Sequence, residues 1–201
     1  MRSKRTIGIV DDDDALRDSL SVLLRFKNYD VIEFNSGEDF LETSPVPALD
    51  CLILDLRMRE MNGLDVLDQC QAKGLAMPVI VVSAFGDVSS TKRALKSGAF
   101  DFLEKPIHED QMLRVIEDAL AQFDHAMARQ AEQASVDERV QRLTGREKQI
   151  LDAVLVGRHN REIAGDLNIS VRTVEVYKAR MMEKMQVTRL AELVRLLSRP
   201  E

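Results

Sequence analysis

Along the first 121 residues, short apolar runs that end on a polar side chain alternate with stretches whose apolar residues recur every three or four positions. Thr6-Ile7-Gly8-Ile9-Val10 runs into Asp11-Asp12-Asp13-Asp14. Val31-Ile32-Glu33-Phe34 is a second such run. Cys51-Leu52-Ile53-Leu54 runs into Asp55, Pro78-Val79-Ile80-Val81-Val82 into Ser83, and Asp101-Phe102-Leu103-Glu104 into Lys105-Pro106. Each run reads as a strand, and the unbroken apolar runs at 51–55 and 78–83 read as strands buried on both faces. Between them lie helical spacings: Leu16, Leu20, Leu23 and Leu24, with Asp13 or Asp14 in position to cap; Phe40-Leu41, stopped before Pro45; Leu64, Leu67 and Cys70; Val88, Ala94 and Leu95, stopped near Gly98; and Met112, Val115, Ile116, Ala119, Leu120 and Phe123. Five strands alternating with five helices predict an α/β fold, a doubly wound, five-stranded parallel sheet.

The pattern then changes. Residues 122–141 hold Phe123, His125, Met127, Ala128, Ala131 and Ala134 among Gln, Arg and Glu, with no Gly or Pro. That composition favours a helical linker, an extension of the fifth helix, with apolar spacing too irregular for a coiled coil. From residue 142 the helices are short. Thr144 and Glu147 form a capping box before the stripe Ile150, Leu151, Val154 and Leu155, which Gly157 ends. Asn160 is expected to cap a helix with Ile163, Ala164 and Leu167 inward, and Asn168-Ile169 to turn. Ser170 caps a third helix, with Val174, Tyr177, Met181 and Met185 facing the core. Its other face carries Arg172, Glu175, Val176, Ala179 and Arg180, flanked by Thr173 and Lys178. A last helix with Leu190, Leu193, Val194 and Leu197 closes an all-α bundle. The expected division is 1–121, a linker at 122–141, and 142–201. Small and basic residues outward on a helix after a tight turn fit a recognition helix in the major groove; from pattern alone, a protein-binding bundle fits equally well.

Charge sharpens the division. The chain of 201 residues has a formal net charge of −6, but residues 142–201 carry 12 Lys+Arg against 8 Asp+Glu, a net of +4, and the remainder carries −10. Opposite signs point to two domains with different partners. Cys51 and Cys70 lie in an apolar strand and a helical pattern, which suits a reducing compartment better than a disulfide framework. No apolar run approaches membrane-span length, and Met1-Arg2-Ser3-Lys4-Arg5 lacks the apolar core of a signal peptide, so a cytoplasmic protein without a membrane partner is expected. His108, His125 and His159 are scattered and suggest no metal cluster, and no Walker-type glycine loop is present.

The chemistry gathers at the strand ends. Asp11 and Asp12, Asp55, Ser83 and Lys105 follow strands one, three, four and five, where open α/β sheets bind ligands. Three converging carboxylates repel one another unless a cation joins them. Mg²⁺, which takes oxygen ligands and keeps waters, suits the set. A Ser hydroxyl and a Lys ammonium add donors for an anion, so the group is equipped to accept a phosphoryl group onto a carboxylate. Taken singly, each has a plainer reading: Asp55 in a loop cap, the Asp11–Asp14 run as a solvated turn, Ser83 as a helix cap, Phe102 as core, Lys105 as surface.

As an ordered set, Asp11, Asp12, Asp55, Ser83, Phe102 and Lys105 resemble the response-regulator receiver domain, with its flavodoxin-like fold, over residues 5–121. The resemblance implies that Asp55 is the phospho-acceptor and that Asp11, Asp12, Asp55 and the Arg57 backbone carbonyl hold Mg²⁺. It further implies that Ser83 and Lys105 assist catalysis, that Ser83 and Phe102 form a switch, and that Lys105-Pro106 is cis. Related receivers often have Met-Pro where this chain has Met58-Arg59. Leu143-Thr-x-Arg-Glu147, Asn160-Arg-Glu-Ile-Ala164 and Ile169-Ser-x-Arg-Thr-Val-Glu175 resemble the LuxR-type helix-turn-helix, and the whole chain resembles the FixJ/NarL group. This implies DNA contacts from Asn160, Arg172, Thr173, Glu175, Val176, Lys178, Ala179 and Arg180. Glu175 stands where many relatives have Lys, and a carboxylate there can accept from a cytosine amino group. The implied partners are a sensor histidine kinase, double-stranded promoter DNA and RNA polymerase, with a homodimer forming on phosphorylation. The protein is expected to be no enzyme beyond self-phosphorylation and autodephosphorylation at Asp55. An aspartyl-phosphate phosphohydrolase usually has a second Asp two residues beyond the nucleophile, and here that residue is Arg57. A phosphorylation-independent DNA binder with a degenerate receiver is the competing reading, kept open by Arg59.

Overall fold

The computed structural model describes residues 4–43, 47–84 and 88–197. Pro45, the Met1-Arg2-Ser3 start and the Val88 side chain, all used above, lie outside the described residues. The chain divides into two compact units, Met1–Ala126 and Met127–Glu201.

The first unit alternates strand and helix: β1 (Thr6–Val10), α1 (Asp14–Phe26), β2 (Asp30–Phe34), α2 (Gly37–Glu42), β3 (Cys51–Asp55), α3 (Gly63–Ala72), β4 (Val79–Ser83), α4 (Val88–Lys96), β5 (Asp101–Glu104) and the first part of α5 (Glu109–Gln141), whose later turns belong to the second unit. The sheet order is β2-β1-β3-β4-β5, and every neighbouring pair is parallel. Each strand sends alternate side chains to opposite faces, so two cores form. Val10, Leu52, Leu54, Val79 and Val81 pack with Phe40, Leu67 and Ala94 on one face. Ile7, Ile9, Cys51, Ile53, Ile80 and Val82 pack with Leu20, Leu24, Met112 and Ile116 on the other. This explains why β3 and β4 read as unbroken apolar runs: all five residues of each are buried.

Local signals set the helix starts. The Asp13 carboxylate accepts from the Ala15 and Leu16 N–H groups and caps α1, and the Asn62 side chain accepts from Leu64 N–H and caps α3. Gly63 is required by proximity, because a Cβ there would fall against the Asp55 carbonyl oxygen and 2.8 Å from Leu56 Cα. The start of α3 is thus pressed against the backbone of Asp55.

In the second unit the last turns of α5 lead into α6 (Gly145–Leu155), α7 (Asn160–Leu167), α8 (Val171–Lys184) and α9 (Leu190–Leu197). Ile150, Leu151, Val154, Ile163, Val174, Met181, Met185 and Leu193 form its core, with Val140 and Leu143 packed in from the end of α5 and the turn after it. Thr144 and Glu147 close the capping box: Glu147 Oε2 accepts from Thr144 N–H at 2.8 Å. Glu147 is buried and also accepts from Lys184 Nζ at 2.6 Å, which ties α6 to α8.

Details of the second unit's helices depart from the sequence expectation. Asn160 is the first residue of α7, and the cap position belongs to His159, whose N–H donates to Glu162 Oε2 at 2.7 Å. Leu155 of α6 and Leu190 and Val194 of α9 are exposed, whereas Leu193 and Leu197 pack inward as expected, joined by Leu196. Leucines crowd α9 on more than one face, so spacing alone left the inward one ambiguous.

Candidate functional site

The strand order reverses beside β1: β2 lies on one side of it and β3 on the other. A crevice opens at the carboxyl ends of such strands. Asp11 follows β1 directly, Asp55 ends β3, Ser83 ends β4, and Lys105 follows β5. Ligand oxygens of Asp11, Asp12 and Asp55 lie within 4.8 Å of one another. Asp11, Asp55 and Ser83 are buried and Asp12 is half-buried. Lys105 Nζ donates to Asp55 Oδ2 at 2.9 Å and to Asp11 Oδ2 at 3.0 Å. Lys105 N–H donates to the Ser83 carbonyl at 2.9 Å, which joins the ends of β4 and β5. The Lys105-Pro106 peptide is cis.

Electrostatics follow from the burial. Burial raises the Asp55 carboxyl above the ordinary carboxylate range; the Lys105 ammonium and the Arg57 N–H pull it back, and the Asp11 charge pushes it up. Burial works against the Lys105 charge, yet the hydrogen bonds to Asp55 and Asp11 outweigh it and raise that ammonium. Asp55 Oδ1 accepts from Arg57 N–H at 3.2 Å. The trio offers hard oxygen donors with excess negative charge, a donor set that fits a divalent cation such as Mg²⁺. Phe102, half-buried on β5 beside Val81, packs against the core that contains Ala94 and Ala99.

Three supporting residues escaped the sequence reading in this role. Arg17 Nη1 donates to the Asp11 carbonyl at 2.7 Å while its other nitrogen pairs with Asp14, so α1 grips the acidic loop. The Asp14/Arg17 spacing of three was the available signal. Arg59 N–H donates to Asp12 Oδ2 at 3.2 Å, and Gly63 buttresses Asp55.

In the second unit, Ser170 caps α8 by accepting from Thr173 N–H at 3.0 Å. Arg172, Glu175, Val176, Ala179 and Arg180 are exposed, whereas Thr173 and Lys178 are half-buried. The Thr173 hydroxyl is engaged with Ser170 Oγ at 2.7 Å. Lys178 and Asn160 line one cleft together with Arg158 and His159. The exposed set lies opposite the buried Val174, Met181 and Met185.

A parallel sheet ending in an acidic, lysine-bridged crevice, joined to a helical unit with a polar outer face on its third helix, defines a signal-receiving domain coupled to a helix-turn-helix. The comparisons agree. Residues 7–117 match the response regulator receiver domain, and residues 141–197 match the luxR family of bacterial regulatory proteins. The chain is similar to the transcriptional regulatory protein FixJ of Bradyrhizobium diazoefficiens, 38% identical over 199 residues, covering 99% of this chain and 97% of that one. It is similar to the response regulator protein TodT of Pseudomonas putida, 38% identical over 193 residues, covering 96% of this chain and 85% of that one. Among solved structures, the response regulator StyR superposes with a TM-score of 0.85 at 36% identity, over 97% of this chain and 98% of that one. Full-length FixJ from B. japonicum gives 0.62 at 38% identity, over 96% of each. The chain belongs to the response regulators that join a receiver to a LuxR-type DNA-binding domain. It is a transcription regulator of a two-component system and not a catalytic enzyme. Among the described residues, no helix is long and apolar enough to cross a membrane.

Proposed function

We propose that Asp55 accepts a phosphoryl group from a sensor histidine kinase and that this controls DNA binding by α8. The observation that carries the reading is the Lys105 ammonium bridging Asp55 and Asp11, with Asp12 beside them. An Asp55 carboxylate oxygen attacks phosphorus, the new P–O bond forms as the P–N bond to the donor histidine breaks, and the imidazole leaves. Lys105 and the Ser83 hydroxyl donate to the phosphoryl oxygens that result. Asp11, Asp12, Asp55 and the Arg57 carbonyl would hold Mg²⁺. When bound, it neutralises charge on the transferring group. Burial that raises the Asp55 carboxyl also keeps bulk water from the acyl phosphate.

The new phosphoryl oxygens draw Ser83 inward, and Phe102 turns into the space that Ser83 leaves. The surface of α4 and β5 is then remodelled and pairs with a second copy, which sets two α8 helices about 34 Å apart on a near-palindromic site. Residues 1–121 act as the receiver, 122–141 as the helical linker and 142–201 as the DNA-binding domain. Arg172, Glu175, Val176, Ala179 and Arg180 meet DNA, with Asn160, Thr173 and Lys178 at the margin. The phosphorylated dimer presents promoter DNA to RNA polymerase in the cytoplasm.

The test is operator binding with and without acetyl phosphate, read beside light scattering. Phosphorylation should yield a dimer and tighter binding. Arg172→Ala with Arg180→Ala should cut affinity at least tenfold, and Lys178→Ala should mainly lower the salt slope. Equal affinity with and without phosphorylation would favour the phosphorylation-independent reading, and an unchanged isotherm for the double variant would remove α8 from the interface.

A further inference from the structure

Asp12 differs from the other two carboxylates of the crevice in its cation. Lys105 bridges Asp11 and Asp55 from within, with its side chain 18% exposed. Asp12 Oδ2 instead accepts from Arg59 N–H at 3.2 Å and faces Arg59 Nε at 3.5 Å. Arg59 follows Met58 in the loop between β3 and α3, where related receivers often carry Pro. A proline has neither an N–H nor a charge, so it can supply neither interaction. Among the described residues, the three carboxylates are therefore faced by two tethered cations, Lys105 and Arg59, of which a Pro at position 59 would leave Lys105. The Arg59 side chain is 89% exposed while that of Asp12 is 23% exposed, so the guanidinium sits on the outer edge of the site and is held loosely. It borders a cleft of about 230 Å³ lined by Asp12, Asn35, Ser36, Met58 and Glu60, which gives it room to swing aside.

We propose that Arg59 is a tethered counter-cation that a divalent ion must displace from Asp12. Resting on the metal reading of Asp11, Asp12 and Asp55, this makes Arg59 a determinant of divalent-ion affinity. The chain then holds Mg²⁺ more weakly than the same receiver without the arginine charge. Both the repulsion of the incoming ion and the Arg59–Asp12 attraction act near solvent, so the effect is modest and screened by salt.

Calorimetric titration of Mg²⁺ into the unphosphorylated full chain tests this without phosphoryl chemistry. Arg59→Gln, which keeps the N–H and removes the charge, should tighten Mg²⁺ binding roughly three- to tenfold at about 0.05 M salt and less than about twofold at about 0.5 M. Arg59→Lys should stay near the parent, and Arg59→Pro should gain at least as much as Arg59→Gln. Saturable, Asp12-dependent heat with equal affinity in parent and Arg59→Gln would overturn the role of Arg59 and leave the metal site standing. An Arg59→Lys protein as tight as Arg59→Gln would do the same. No saturable heat in the parent, or heat that survives Asp12→Asn unchanged, would overturn the metal reading and this proposal with it.

Discussion

Replacing Lys105 with Met removes a side chain that bridges two buried carboxylates, and the size of the loss follows from the geometry. The ligand oxygens of Asp11 and Asp55 lie within 4.8 Å of each other. At an effective dielectric of about 20 their repulsion is about 3 kcal/mol or more. The loss has a ceiling, because the pocket can take up a proton instead. At about pH 7.5 protonating an ordinary carboxyl costs about 5 kcal/mol, and less for Asp55, whose carboxyl burial already raises. The Lys105 side chain is 18% exposed, so solvent moderates the effect. A destabilisation of about 3 kcal/mol is expected, or about 10 °C in the transition of the first unit. The sign with pH is fixed. A carboxyl raised on folding destabilises progressively as pH climbs from its unfolded value through its folded one, and Lys105→Met raises Asp55 further. The deficit should therefore nearly vanish below the ordinary carboxyl value of 3.8 and grow as pH climbs above it. The stabilisation that Lys105 gives the parent is present below 10.5 and is lost only as pH passes its raised folded value, outside this carboxyl range. Calorimetry across that range, with and without about 10 mM Mg²⁺, reads the effect, and the ion should restore more than half of the deficit in the variant. A shift below about 3 °C, or one independent of pH and Mg²⁺, would refute the charge argument.

Gly63→Ala should cost about 3 kcal/mol in urea melts, because the new Cβ meets Asp55 and Leu56 backbone that cannot retreat. It should also slow phosphorylation by acetyl phosphate, and wild-type stability would remove the buttress. Glu147→Gln should destabilise the second unit by about 1–2 kcal/mol. Burial pushes the Glu147 carboxyl up, but the Lys184 and Thr144 hydrogen bonds hold it below 4.5. That stabilisation is present above 4.5 and is lost as pH falls through the depressed value, so parent and variant should converge in acid melts.

The placement of the acidic crevice was legible because it sits where topology puts it. Apolar runs ending on Asp11, Asp55, Ser83 and Lys105 declare strand ends, and the alternation of strands with helices brings those ends together. The capping box at Thr144 and Glu147 was readable from spacing, and so were the buried Val174, Met181 and Met185. What could not be read were contacts whose partners are backbone atoms. Arg17 serves the Asp11 carbonyl, and Gly63 yields to the Asp55 carbonyl; the Asp14/Arg17 spacing signals only that pair and a glycine only a turn, not the backbone atom each serves. The Lys184 bond to Glu147 joins residues 37 positions apart through a tertiary turn that no local spacing records. The sequence showed no break between residues 122 and 141, and α5 is continuous to Gln141, so its composition could not say that Val140 packs into the second core.

Phosphorylation at Asp55 is read by intact-mass analysis after treatment with acetyl phosphate and Mg²⁺. The parent should gain one phosphoryl group that is stable in acid and released by base or hydroxylamine, as an acyl phosphate requires. Asp55→Asn should gain none. An adduct of the same yield and lability in Asp55→Asn would contradict the account.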